Sequence, residues 1–370
     1  MHLLNSLTLL QVLLASTATA ITLSPLRTIH QFPNPTFLEN IVTTRNGTLL
    51  TGILGSSSNG GALHLIDPFA APSNASTLLY TFPDANSVLG ISELEPDIYA
   101  VATGTYNVST GPTQGSSTIW VLDLNSLCAE GTPTVRKVAD LKNALSLNGI
   151  AVLNKDTFLA ADSFGGTIIS VDVQSGAYEV VHNDVTLAPN MSAALPIGVD
   201  GMKYVAPNLY YTNTQIGLFR VRVDPTTGAA TSPYVKLASV ESPDEIAVLE
   251  DGTIFMARPL EGVVERVGQD GKRTVIANKD IEGVTAVTLG RTWRDRNVFY
   301  ASTFGGFAED GAGFREGGKV VAFEIREPIL ATVNVYEECI GTALSRDDGL
   351  LLPCLDFSIL PPSSSLENLH

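Results

Sequence analysis

Four residues, Glu39, Asn148, Asp200 and Asp244, carry hard oxygen donors and stand at matching places in a repeated phrase. Each opens a short apolar run: Glu39-Asn-Ile-Val, Asn148-Gly-Ile-Ala-Val-Leu, Asp200-Gly-Met-Lys-Tyr-Val and Asp244-Glu-Ile-Ala-Val-Leu. Two carboxylates and one amide, from Glu39, Asp200 and Asn148, form a donor set for Ca2+ or another divalent cation, with water in the other positions. The alternative is structural. Asn and Asp at the start of a strand also hydrogen-bond nearby backbone, and that reading covers Asp244 and Asp162 as well. Other chemistries lack their residues. None of the five His (His2, His30, His64, His182 and His370) opens such a run. There is no Gly-x-Ser-x-Gly elbow, no His/Cys cluster at zinc spacing and no Gly-rich phosphate loop ahead of a helix. No organic cofactor is expected.

The phrase that positions these residues recurs along the chain. Weaker copies start near Gly90 and Thr285, giving six starts at 39, 90, 148, 200, 244 and 285, spaced by 51, 58, 52, 44 and 41 residues. A period of this size, with several short strands per unit and almost no helix signals, predicts an all-β six-bladed β-propeller. The first strand of each blade lines the central channel, so the repeat aims side chains of separate blades at one opening. Thr28-Ile-His-Gln-Phe reads as a strand able to join the last blade and latch the ring. Tyr106, Phe164, Tyr204, Tyr211 and Phe304 could line an aromatic pocket. Asn40, Leu89, Asp244, Tyr211, Thr285 and Phe304 are the expected substrate-contacting positions around the opening.

Residues 1–20 read as a secretory signal, with an apolar run from Leu3 to Ala15 and a small-residue cleavage site at Ala18-Thr19-Ala20. The propeller is assigned to 21–360 and a disordered tail to 361–370. Sequons at Asn46, Asn74, Asn107 and Asn190 suit a secreted or secretory-pathway glycoprotein. In that compartment Cys128, Cys339 and Cys354 would give one disulfide and one free thiol, and Cys339 with Cys354 could close a loop in the tail. The formal net charge of −16 argues against nucleic acid and anionic membranes, leaving small molecules as partners, with no membrane association after signal cleavage.

Glu39-Asn-Ile-Val, Leu147-Asn148-Gly-Ile and Val199-Asp200-Gly-Met resemble the metal-ligand segments of the regucalcin–gluconolactonase six-bladed propellers. There a Glu, an Asn and an Asp hold a divalent ion, and water opens lactone esters. The resemblance implies metal-binding and catalytic roles for Glu39, Asn148 and Asp200. The chain departs from the family in blade two, where Val88-Leu89-Gly90 stands in place of a substrate-binding Asn. A narrower set looks like a secreted fungal branch of secondary-metabolite pathways: Phe37-Leu-Glu-Asn-Ile, Leu89-Gly-Ile-Ser-Glu-Leu-Glu-Pro-Asp, Leu195-Pro-Ile-Gly-Val-Asp-Gly, Tyr211-Thr-Asn-Thr, Gly290-Arg-Thr-Trp-Arg-Asp-Arg and Gly317-Gly-Lys-Val-Val. That branch includes hetero-Diels–Alderases that join a tropolone o-quinone methide to a humulene-type sesquiterpene. Three functions are therefore expected in order: such a pericyclase, a divalent-metal-dependent lactonase or esterase, and a non-catalytic small-molecule-binding propeller.

Overall fold

Six four-stranded antiparallel sheets follow one another around a ring. The computed structural model describes residues 25–325, except 56–59, 194 and 312. The expected signal, the Cys339–Cys354 loop and the tail lie outside those residues. The innermost strands of blades one to six are Phe37–Thr43, Ser87–Glu95, Leu147–Asn154, Val199–Val205, Ile246–Val248 and Val284–Leu289. All four sequon asparagines are exposed, as an acceptor must be.

A single blade is apolar on both faces and has to be covered on both. Six apolar clusters do this, one in each seam between neighbouring blades. The strand Arg27–Gln31 pairs antiparallel with Lys319–Glu324 as the outer strand of blade six. The N-terminal segment thus completes the last blade, as its position before blade one predicted.

The glycine that follows the opening residue has a packing reason. A Cβ on Gly149 would meet Asp200 O at 2.2 Å, and one on Gly90 would meet Asn148 O at 2.1 Å. Only Gly lets the inner strands approach this closely, which brings the opening residues of successive blades together.

Candidate active site

The ladder pairing slips at each site position of five inner strands. Register shifts fall between Leu38 and Ile41, Val88 and Ile91, Leu147 and Ile150, Val199 and Met202, and Val284 and Ala286. Glu39, Leu89, Asn148, Asp200 and Thr285 all lie inside these irregular stretches. Such bulges re-aim side chains, freeing them from strict alternation.

Glu39, Asn148 and Asp200 come together from blades one, three and four. Asn148 Nδ2 donates to Glu39 Oε1 at 3.0 Å and to Asp200 Oδ1 at 2.8 Å. All three residues are buried. Asp200 also accepts from Ser163 Oγ at 3.1 Å on Oδ1 and from Thr214 Oγ1 at 3.1 Å on Oδ2. Asp200 therefore has three side-chain donors, whereas Asn148 is the side-chain donor recorded for Glu39. Ser163 and Thr214 follow second strands rather than opening inner ones, so the repeat did not mark them as partners.

Burial, the Asp200 charge and then Glu245 push Glu39 up to about 8, against the opposing hydrogen bond from Asn148. Burial and Glu245 raise Asp200 less, to about 6, because Ser163, Thr214 and Asn148 all favour its ionised form. Asp244 is raised too, by burial first and then by Glu39, Asp200 and Glu245. Burial, followed by Glu39 and Asp200, pushes the Tyr106 phenol up to about 12.

These shifts fix a stability dependence. Folded Glu39 binds its proton more tightly than the unfolded chain does, since its value rises from 4.5 to about 8. Its favourable contribution is complete below the unfolded value and fades as pH climbs through the folded one. Denaturant unfolding should show stability falling from pH 5 to 8, with Glu39 contributing about 3–4 kcal/mol of the fall. Glu39→Gln should flatten that part of the curve, and an unchanged slope would contradict the assignment.

The other expected contacts divide. Leu89 is buried with Leu54 and Tyr106, against Phe37 and Phe164, in a small apolar cluster. Phe304 stacks on Phe37 at 4.6 Å and touches Phe307 and Phe314. Phe307 is 43% exposed, so this aromatic wall reaches the surface. Asp244 is near enough to Glu39 and Asp200 to feel both charges, and its Oδ1 is buried without a hydrogen-bond partner. Asn40 faces Glu245, with Nδ2 at 3.2 Å from Oε1.

Thr285 is a structural tie, donating to Leu38 O at 3.0 Å with no exposed surface. Tyr211 is a correction. It is fully buried in the seam between blades three and four, stacked on Phe219 and bonded to Thr186 Oγ1, so it cannot reach a molecule at the opening. Asp162 ties the blade turn by accepting from Leu145 N, Ser146 N and Gly165 N, the structural role open to it from the sequence.

A divalent cation can be tested against this geometry. Asn148 Oδ1 and Asp244 Oδ1 are buried oxygens without hydrogen-bond partners, which suits a hard ion. Asn148, however, turns its nitrogen to both carboxylates. Among the described residues no three His, Cys, Asp or Glu side chains are grouped to hold a metal. Glu39, Asn148 and Asp200 fit an ion only if the amide turns over so that Oδ1 joins the two carboxylates.

No protein-family model matches the chain. It is 26% identical over 310 residues to a candidate hetero-Diels–Alderase of Phoma sp, covering 75% of this chain and 86% of that one. It is 24% identical over 315 residues to a second candidate hetero-Diels–Alderase, from Sarocladium schorii, covering 75% and 78%. Among solved structures, the calcium-binding protein regucalcin of Agrobacterium tumefaciens superposes with a TM-score of 0.56 at 17% identity, over 81% of this chain and 94% of that one. A luciferin-regenerating enzyme gives 0.56 at 13% identity, over 81% and 95%. At such identities the two structures speak for the fold alone. The chain is thus similar in sequence to fungal proteins named for hetero-Diels–Alder chemistry, and in fold to regucalcin-like propellers.

Proposed function

We propose that the protein is an enzyme of fungal secondary metabolism, a hetero-Diels–Alderase joining a tropolone o-quinone methide to a humulene-type sesquiterpene. The two fungal relatives bear that reaction class in their names, which supports the reading. The observation that carries it is a buried carboxyl pair with unequal hydrogen bonding, set near apolar groups. Asp200, with three side-chain donors, is held as the carboxylate, and Glu39, with one, keeps a proton. Leu89, Tyr106, Phe37 and Phe304 supply apolar surface for a terpene and a flat ring.

A hydroxymethyl tropolone becomes the o-quinone methide by losing water. Glu39 gives its proton to the departing hydroxyl, and the ring hydroxyl gives its proton to Asp200. The pair ends with the proton count it began with. Cycloaddition then forms one C–C and one C–O bond with no change in oxidation state. Holding both partners face to face makes this step effectively unimolecular. Apolar surroundings keep out water, which would add to the methide carbon. Purified protein incubated with a hydroxymethyl tropolone and humulenol should give one stereoisomer faster than buffer alone. A product ratio and stereochemistry equal to the protein-free control sinks the reading. So does tight binding of both partners without turnover, which would leave a binding propeller.

The partnerless Asn148 Oδ1 favours a second reading, a divalent-metal-dependent lactonase or esterase. Glu39, Asn148 and Asp200 would hold the ion, which would polarise an ester carbonyl and acidify water. In that case Ca2+ should raise the Tm, and a chelator should abolish lactone opening. Lactone opening that persists after full metal removal discards this reading.

A further inference from the structure

The inner strands differ from end to end in their contact with water. In Leu147–Asn154 and Val199–Val205 the residues nearest the opening are buried and the last three are half-buried, and Ser87–Glu95 and Val284–Leu289 follow the same gradient. These strands are thus better covered at the end that carries Glu39, Asn148 and Asp200 than at the other. One polar bridge spans the change. Asn40 and Glu245 are each 2% exposed, whereas the Lys203 side chain is 28% exposed. Lys203 Nζ lies 3.1 Å from Glu245 Oε2, and Asn40 Nδ2 lies 3.2 Å from Glu245 Oε1. Glu245 Oε2 also accepts from Ile246 N at 3.3 Å. This bridge crosses from blade four through blade five to blade one. Lys203 is three residues beyond Asp200 on one inner strand, about 10 Å further along the channel at ordinary strand rise.

We propose that Lys203, Glu245 and Asn40 form a floor that closes the channel between its less covered end and the reaction site, and that this seal limits loss of the reactive heterodiene to hydration. The proposal rests on the pericyclase reading. Hydration is the competing step. Water oxygen bonds the methide carbon, one of its protons ends on the carbonyl oxygen, and the hydroxymethyl tropolone is regenerated with nothing oxidised. Every such turn wastes a dehydration. Asn40 and Glu245 are then positioning residues that touch neither substrate. Their buried polar atoms are satisfied by one another and by Lys203, which lets them close the channel without leaving an unpaired charge.

Two measurements test the seal. The first is the incorporation of 18O from labelled water into recovered hydroxymethyl tropolone, relative to cycloadduct formed. Lys203→Ala should raise that ratio at least fivefold, and Lys203→Arg, which keeps the ion pair, should restore it. The second needs no turnover. Thr285→Cys, a near-isosteric change at a fully buried position whose carbonyl accepts from Glu245 N at 3.2 Å, should react with a small methanethiosulfonate at least tenfold faster when combined with Lys203→Ala. Both are compared at temperatures well below each variant's Tm, with Thr285 unsubstituted as the background for native thiols. An unchanged labelling rate overturns the seal whether or not catalysis is found. Faster labelling with an unchanged 18O ratio, while cycloadduct still forms, overturns its role in protecting the heterodiene. Faster labelling in a protein that gives no cycloadduct above the buffer control keeps the seal and removes the pericyclase reading instead.

Discussion

Glu39→Gln is expected to lower the catalysed rate of cycloadduct formation about 100-fold or more, the scale of a lost general acid. Gln fills the same volume and can still sit beside Asn148, so binding of the apolar partner should change little. What disappears is a transferable proton. The pH profile of the wild type carries the same information. Dehydration needs Glu39 protonated and Asp200 ionised, with Glu39 pushed up to about 8 and Asp200 to about 6. The rate should rise through the lower value and fall through the higher, as two apparent constants of the pair rather than of either residue. In Glu39→Gln the falling limb should vanish along with most of the rate. A variant that keeps wild-type kcat with an unaltered alkaline limb would remove Glu39 as the proton donor. The metal reading predicts a different outcome for the wild type. A bound cation holds both carboxylates ionised, so saturating Ca2+ would erase the alkaline limb and the decline of stability with pH.

The ring was legible because its repeat is strict where blades touch. A glycine after Asn148 and after Asp200 is required by backbone approach, so it survives as a visible mark. The first residues of the latch were legible because a strand ahead of blade one needs an edge to pair with, and blade six offers one. The convergence of Glu39, Asn148 and Asp200 followed from the same repeat. Other parts of the site were not legible, for two physical reasons. Both faces of a blade are apolar, so the sequence did not tell a residue facing a seam from one facing the channel. Tyr211 was misplaced on that account, since it packs between blades three and four. The second reason is that bulges break strict alternation. A register shift between Val199 and Met202 separates Asp200 from the regular ladder, and no residue type announces it beyond Gly201. Ser163, Thr214, Lys203 and Glu245 act on residues from other inner strands or across loops, at separations that no local pattern encodes.

Ile29→Asp should destabilise the whole propeller by about 3–5 kcal/mol, the cost of placing an unpaired charge in an apolar seam. Ile29 lies on the latch strand at 1% exposure, in the cluster with Leu38, Ile41, Tyr300 and Val320 that joins blade six to blade one. The strand is held by its pairing with Lys319–Glu324 and by Phe32 N donating to Gly318 O at 2.9 Å. It is the place where the two ends of the described chain meet. If the charge expels the strand, the edge at Val320 and Ala322 is left open and the seam loses one wall. Blades one and six then separate, and with them Glu39 leaves the partners supplied by blades three and four. The effect should therefore appear in urea unfolding and, at permissive temperature, as lost cycloadduct formation, although Ile29 is remote from the carboxyl pair. Thr28→Asp is the control, because Thr28 is exposed on the same strand and adds the same charge to solvent. It should change stability by less than about 1 kcal/mol. Equal effects of the two substitutions would mean that net charge, not closure of the ring, was being measured. A cost below about 1 kcal/mol for Ile29→Asp would mean that blade six is stable with three strands. In that case the arrangement of the carboxyl pair does not depend on the latch.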